Sequence, residues 1–513
     1  MLRTRRSILN VFVTLSSNAI ILVTAFIVQK ILILKLGSDY NGINGLFTSI
    51  ITMMSLTDLG IGSAIIYHLY RPAYEADFDV ICSLLRFYKN SYLIISVVVL
   101  IIGCLLMVFI PGIVGNVVIN ENIYLIFLLF LFDCLVSYFL SYKKSLLYAY
   151  QLNFVLDGIH FIFYILQNIV QIFVLVFYQN FILFLLLKTI CKIIENITIS
   201  IYIKKHFPFT QKKRIQPLSN DIRNDIIKKI KALLFHRLGR LLVTGSDSLV
   251  ITGVLGILQM SLYTNYHLII GGITALLNKI FETLTSSVGN FLLDSNQKQR
   301  YEIYRKIDFL NFWVFGCASV VLFSVMQPFI TLWIGKEYLF SKTTLFFLVI
   351  NFYQEGMRAS ILTFKDAAGI YHEDRFIPIV EATVNVIFSM LLAFKIGIIG
   401  VFIGTIISSG IVYFYSYPKY VCKPLYNMRW SDYIRQTLTH IIMVILCICS
   451  AQFAISILFV RNLLVELILC TFISVGIFHI YLIAFYGRSR ELKFFWNIFV
   501  KLIKSKKEGK YDH

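Results

Sequence analysis

The side chains able to do chemistry in this chain of 513 residues sit inside long apolar runs rather than between them. Asp157, His160, Tyr164, Gln167, Asn168 and Gln171 follow one another at helical spacing along one face of a single run. Lys188, Lys192 and Glu195 recur at helical spacing in the next, and Arg237, Arg240, Thr244 and Asp247 in another. Thr274, Asn278, Glu282 and Thr285 do so in a fourth; the first two runs carry Asn10, Thr14, Ser17 and Thr24, then Thr48, Thr52, Ser55 and Asp58. Isolated Ser and Thr in such settings are expected to be hydrogen-bonding glue between packed helices. Charged groups are different. They are costly against lipid, and so many in one bundle point to a shared aqueous cavity. Arg and Lys suit phosphate oxygens, Arg through paired hydrogen bonds and Lys as a point charge. Tyr, Gln and Asn suit the hydroxyls and faces of sugars. A cavity combining them would take a large, polar, partly anionic solute.

The same inventory excludes much. No nucleophile and base pair, no metal-ligand spacing and no G-x-x-x-x-G-K-[ST] phosphate loop occurs. The nine His are dispersed, and Cys447 and Cys449, the close Cys pair, lie in an apolar run without companion ligands. No enzymatic chemistry, metal or organic cofactor is expected. A simple ion channel would need a symmetric ring of groups, which one asymmetric chain does not supply.

The elements that must position these groups are membrane helices. The composition is 58% hydrophobic and 14% charged, with a mean hydropathy of +0.78, outside the range of soluble domains. About 20 apolar residues cross a hydrocarbon core of roughly 30 Å. On that basis fourteen spans are expected, at 8–30, 43–66, 91–110, 123–142, 154–177, 181–203, 236–257, 263–288, 309–333, 344–364, 376–396, 398–417, 438–459 and 463–486. Long runs exclude the short alternating segments of a barrel, so the expected fold class is an all-α polytopic membrane protein. Most of the 47 Lys and Arg fall at the N-terminus, in every second gap and in the tail. The positive-inside rule then puts both termini in the cytoplasm. The net charge of +20 reads as topology and attraction to anionic lipid, with no nucleic-acid partner expected. The longest gap, 204–235, is strongly basic and contains Ile222, Ile226, Ile227 and Ile230 at helical spacing. Residues 488–507 repeat that recipe with Phe494, Phe495, Trp496, Phe499 and Leu502. Both are expected to lie on a lipid surface.

Several short motifs then add a family resemblance. Leu36-Gly37, Tyr40, Gly42, Gly45-Leu46-Phe47 and Leu56-Thr57-Asp58-Leu59-Gly60-Ile61-Gly62, with Ala64-Ile65 and Tyr67, resemble the opening of bacterial polysaccharide transporters of the O-antigen flippase type. The likeness continues through His236-Arg237, Asp247-Ser248-Leu249-Val250-Ile251, Tyr263, Asn265-Tyr266, Gly289-Asn290 and Leu332-Trp333-Ile334-Gly335. It runs on to Lys365-Asp366-Ala367-Ala368-Gly369, Arg375, Pro378, Glu381, Asn385, Gly397, Gly400 and Gly404-Thr405. Ser248 departs from the Asn usual at its position in such proteins.

The resemblance implies the multidrug/oligosaccharidyl-lipid/polysaccharide exporter superfamily, in which two six-helix lobes surround a central cavity. The lobes here would be 1–203 and 236–420, joined by the basic linker 204–235, with two further helices in 421–487 and a basic tail 488–513. The implied activity is alternating-access translocation of an undecaprenyl-diphosphate-linked oligosaccharide to the outer leaflet of the bacterial cytoplasmic membrane, for capsule, exopolysaccharide, O-antigen or wall glycan. Its partners would be that lipid-linked oligosaccharide, membrane lipids, a polysaccharide polymerase and glycosyltransferases. A peptidoglycan-precursor flippase and a multidrug/cation antiporter of the same superfamily are the alternatives. A lipid-linked-sugar polymerase is opposed by the lack of a long outer loop. On this reading Arg237, Arg240 and Arg358, with Lys188 and Lys192, meet the diphosphate, while His160, Tyr164 and Gln167 line the cavity. Arg237 and Arg240 could equally anchor their helix at the headgroups. Asp58 and Asp247, one in each lobe, are candidates for ion coupling or gating, or for pairing with an Arg across the bundle.

Overall fold

The computed structural model describes residues 20–507 apart from 56–60, 116, 118, 212–216, 372, 458, 459 and 461. Within that range the side chains of 61, 63, 64, 229, 231–244, 286, 499 and 501–507 are outside the description. Asn10, Thr14, Ser17 and Asp58 therefore lie outside the described residues, as do the side chains of Arg237 and Arg240.

The protein is an all-α membrane protein, with no strand among the described residues. Its helices are α1 (20–36), then α2 (Ser38–Met54), α3 (Ile61–Glu75), α4 (Phe78–Met107), α5 (Ile110–Val114), α6 (Ile123–Tyr138), α7 (Ser141–Ala149), α8 (Asn153–Phe177), α9 (Phe181–His206) and α10 (Asn220–Val250). There follow α11 (Ile257–Asp294), α12 (Gln297–Trp333), α13 (Lys342–Ala368), α14 (Ile377–Ile396), α15 (Ile398–Ile411), α16 (Lys423–Tyr426), α17 (Trp430–Ser456), α18 (Leu463–Tyr486) and α19 (Arg490–Lys507). Among the described residues, eight helices are long and apolar enough to cross a membrane, or nine if the bent pair α6 and α7 forms one span. Helices such as α9 and α13 carry charged side chains, Lys188, Lys192 and Glu195 on one and Glu355, Arg358 and Lys365 on the other, which lowers their apolarity.

Besides an apolar core, whole apolar helix faces are turned outward. Leu93, Ile94, Val97, Ile101 and Leu105 of α4 are exposed, as are Ile162, Leu166, Ile169, Phe173 and Phe177 of α8. A soluble protein does not present such continuous apolar faces, whereas lipid covers them at no cost.

Two compact units divide the chain: Met1–Gly272 with Arg375–Gly404, and Ile273–Asp374 with Thr405–His513. In the first, α10 packs on α14 and α2, and α9 on α6 and α8. Gly42 and Gly45 let α2 approach α11 so closely that a methyl group at either would meet Ile257 or Thr264. In the second, α12 packs against α13, α17 and α18. With 37 residues, α12 is about 55 Å long and exceeds the hydrocarbon thickness, so its basic N-terminal end extends into the headgroups or beyond. Asn296 and Gln299 cap that end reciprocally.

Several helices depart from the expected runs. The stretch 43–66 is not continuous, because α2 stops at Ser55. Leu140 adopts a left-handed conformation, with φ 67°, and α6 bends by 40° into α7. The apolar spacing at Ile222 to Ile230 belongs to no separate surface helix; α10 starts at Asn220 and runs unbroken to Val250. At the C-terminus, α19 does form, with Phe495 against Phe309 and Trp313 and with Trp496 exposed.

Candidate functional site

In the first unit, α1, α2, α10 and α11 enclose a cavity of about 300 Å³. Gln29, Asn44, Thr48, Ser49, Thr52, Ser248, Tyr263, Thr264 and His267 line it together with glycines and methionines. No described lining residue carries a fixed charge. One side of the cavity is an amide cluster. Gln29 Nε2 donates to Asn41 Oδ1 at 2.6 Å and to Asn265 Oδ1 at 3.0 Å. Asn41 Nδ2 donates to Asn265 Oδ1 at 3.1 Å and to Ser261 Oγ at 2.9 Å. Asn41 and Asn265 are fully buried, so these bonds hold the wall in place, since an unmade bond there is costly. Ser248 Oγ donates to Ser49 Oγ at 2.9 Å, tying α10 to α2, and the neighbouring Ser246 donates to Asn385 of α14 at 2.9 Å. Asp247 is buried between those two serines.

A second group in the same unit gathers charges from four helices. Lys192 Nζ of α9 donates to Asp133 Oδ2 of α6 at 2.9 Å, and Lys188 Nζ lies 3.5 Å from the same oxygen. One turn on, Glu195 faces His160 of α8 at 3.2 Å and Lys144 of α7 at 3.9 Å. Three ammonium groups thus face two carboxylates. The lysines on α9 keep about a third of their side-chain surface exposed, at 31% each, against 11% for Asp133. A cluster with one positive charge in excess and its ammoniums accessible can accept an anion that displaces or shares the Asp133 contact.

The sequence-predicted residues distribute as follows. Lys188, Lys192 and His160 come together, and both lysines are paired rather than free. On α8, Tyr164 Oη lies 3.5 Å from the Ile21 carbonyl, and Gln167 donates to Gln171 at 3.2 Å, which in turn donates to the Phe184 carbonyl. Part of that polar face is therefore spent on joining α8 to its neighbours. Arg358 belongs to the second unit, where Glu355 is 3.4 Å away, Ser409 accepts a hydrogen bond at 2.8 Å and Tyr413 lies beneath the guanidinium. Asp133, Lys144, Gln29, Asn41 and Asn44 were not singled out from the sequence, and Asn265 stood out only within the motif Asn265-Tyr266. Asp133 had a signal: it is the lone charge in an otherwise apolar run, Ile123–Tyr138.

No family model matches the sequence, and no curated protein does. Solved structures do. The chain is similar to the lipid II flippase MurJ in an inward closed conformation, with a TM-score of 0.62 at 16% identity over 94% of this chain and 99% of that one. It is similar to a multidrug resistance MATE family transporter of the MOP superfamily in its inward-facing conformation, with a TM-score of 0.58 at 15% identity over 74% and 90%. A eukaryotic MATE transporter, AtDTX14, follows with 0.53 at 13% over 84% and 98%. At these identities the likeness establishes the fold alone: the chain shares the helical architecture of these solved structures.

Proposed function

We propose that the protein is a flippase that carries a polyprenyl-diphosphate-linked oligosaccharide from the cytoplasmic to the outer leaflet of a bacterial cytoplasmic membrane, with both of its own termini in the cytoplasm. The observation that carries this reading is the cavity lining. An exporter of organic cations calls for carboxylates facing its solute, whereas hydroxyls and amides such as those of Thr48, Ser49, Asn44 and Gln29 offer donors and acceptors without charge, the chemistry that suits sugars. The cluster of Lys188, Lys192, Lys144, Asp133 and Glu195 supplies the complement, a net cationic patch for the diphosphate. Arg237, Arg240 and Arg358 would serve the same end. The prenyl chain would stay in the lipid while the headgroup crosses, with lobes 1–203 and 236–420 alternating between two packings and Asp58 and Asp247 biasing the equilibrium. A polymerase and glycosyltransferases would then work on the same lipid-linked oligosaccharide.

The test is reconstitution into liposomes containing a fluorescent polyprenyl-diphosphate oligosaccharide, with outer-leaflet exposure followed by a membrane-impermeant glycosidase. The expected outcome is exposure well above that of empty liposomes, reduced by Lys188→Gln with Lys192→Gln. If lipid II crosses and the oligosaccharide lipid does not, the peptidoglycan-precursor reading replaces this one. If an organic cation moves instead, the antiporter reading does.

A further inference from the structure

We infer that Asp308 and His440 form a proton-binding site in the second unit, reached from a polar vestibule through Gln436 and His440 itself. Asp308 of α12 is buried at 5% exposure. Ser360 Oγ of α13 donates to its Oδ1 at 2.8 Å, and Gln436 Nε2 of α17 donates to its Oδ2 at 2.6 Å. His440 Nδ1, also on α17, is 4.0 Å from Oδ2. The imidazole is held from two sides: its ring stacks on Phe312 with centroids 4.1 Å apart, and Nε2 shares a 2.7 Å hydrogen bond with Tyr486 Oη of α18. With Nε2 accepting from the phenol, Nδ1 carries the hydrogen, and at 4.0 Å from Oδ2 it lies beside the carboxylate without a direct hydrogen bond to it. Among the described residues no Lys or Arg pairs with Asp308. A buried carboxylate needs its charge either met or removed, and here a bound proton removes it, with the His440 imidazole 4.0 Å away as the neighbouring titratable group.

Two chambers make the site reachable. The inner one, about 30 Å³, is bounded by Asp308, His440 and Gln436 with a surround of Tyr side chains; it has room for about one water molecule. The outer one, about 410 Å³, carries Arg305, Asp432, Arg435 and Glu491. Gln436 and His440 line both, so they stand between the wet chamber and the carboxylate. The other titratable groups facing Asp308 are Tyr304 on its own helix, Tyr353 on α13, Tyr433 on α17, Tyr486 on α18, and Tyr413, Cys422 and Tyr426 in the segment after α15. Phenols and thiols ordinarily stay neutral around neutral pH. Arg305, one turn away, is engaged with Glu491 of α19 at 3.0 Å. That leaves Asp308 and His440 to exchange a proton with solvent. A metal cation fits poorly, because a hard cation seeks a shell of about six oxygens, and the carboxylate meets one hydroxyl, an amide nitrogen and an imidazole instead.

The site needs no substrate to be detected, so its test stands apart from the transport reading. Full-length protein in nanodiscs would be titrated between about pH 4 and pH 9 while infrared difference spectra follow the carbonyl stretch of a protonated, non-hydrated carboxyl. A pH-dependent band is expected that is lost in Asp308→Asn and has its midpoint displaced by about one pH unit in His440→Gln. Asp308→Asn keeps the side-chain shape, and its thermal unfolding midpoint checks that it folds. Should it not fold, Asp308→Glu serves, and an unmoved midpoint in that variant overturns the proposal. The same titrating band in Asp308→Asn also overturns it, as does a band removed by sodium at constant pH, which would make this a metal-cation site.

Discussion

At the scale of single residues, Asp133 decides how Lys188 and Lys192 are to be understood. Two ammoniums on one carboxylate admit two roles, a neutralised buried acid or an anion receptor poised against its own counter-ion. The roles separate in a double variant. If the lysines only neutralise Asp133, then Asp133→Asn with Lys192→Gln removes both charges together and leaves translocation near wild type. If Lys192 meets the diphosphate, translocation is expected to stay down about tenfold or more, the worth of one charge-assisted contact. Asp133→Asn alone leaves two cations without their partner and is expected to cost about 1–3 kcal/mol, less than a fully buried break because the lysines reach solvent. Translocation and thermal unfolding of the single and double variants decide the matter. The helical spacing of Lys188, Lys192 and Glu195 was legible because all lie on one helix; their pairing with Asp133 and Lys144 was not, because tertiary pairing leaves no period in the chain. The meeting of the amide cluster escaped for the same reason, although Asn265 stands in the motif Asn265-Tyr266. Gln29, Asn41 and Asn265 are isolated in the sequence and meet only when α1, α2 and α11 pack together.

At the scale of elements, hydropathy reveals where helices lie better than how their backbones run. Most of the expected runs overlap an observed helix, since apolar length alone decides that much. The stop at Ser55, the left-handed Leu140, and the wide-turn π-helical stretches Ile251–Leu255 and Val412–Cys422 are backbone events that leave composition unchanged. Close approach of helices was partly readable from glycine. Gly42 lies in the motif Leu36 to Phe47, and its lack of a side chain is what permits the contact with the Ile257 carbonyl. Gly42→Ala is therefore expected to destabilise the protein by about 1–3 kcal/mol through overpacking, seen as a lower thermal unfolding midpoint. Gly158→Ala, where added atoms meet open space, is the matched control, and an equal midpoint for the two variants would remove the crossing from the argument.

At the scale of the whole molecule, composition carried most of what was legible. A chain that is 58% hydrophobic with its cations gathered into alternate gaps has little choice but to thread the bilayer, and the outward apolar faces of α4 and α8 are the structural form of that statement. What composition does not reveal is the solute, because a solute is recognised by a few side chains whose meeting is a tertiary event. Orientation remains a matter of charge. The gap between α12 and α13 is short and holds Lys336 and Glu337, whereas the segment around the start of α17 holds Arg429, Asp432 and Arg435 in a more basic surround. Moving Lys and Arg outward during insertion is unfavourable, and acidic residues weigh little in that choice. With the nine native cysteines replaced, Glu337→Cys is expected to react with a membrane-impermeant maleimide in intact spheroplasts, and Asp432→Cys only after permeabilisation. The reverse pattern would turn the protein over in the membrane, and with it the direction in which any lipid-linked cargo is carried.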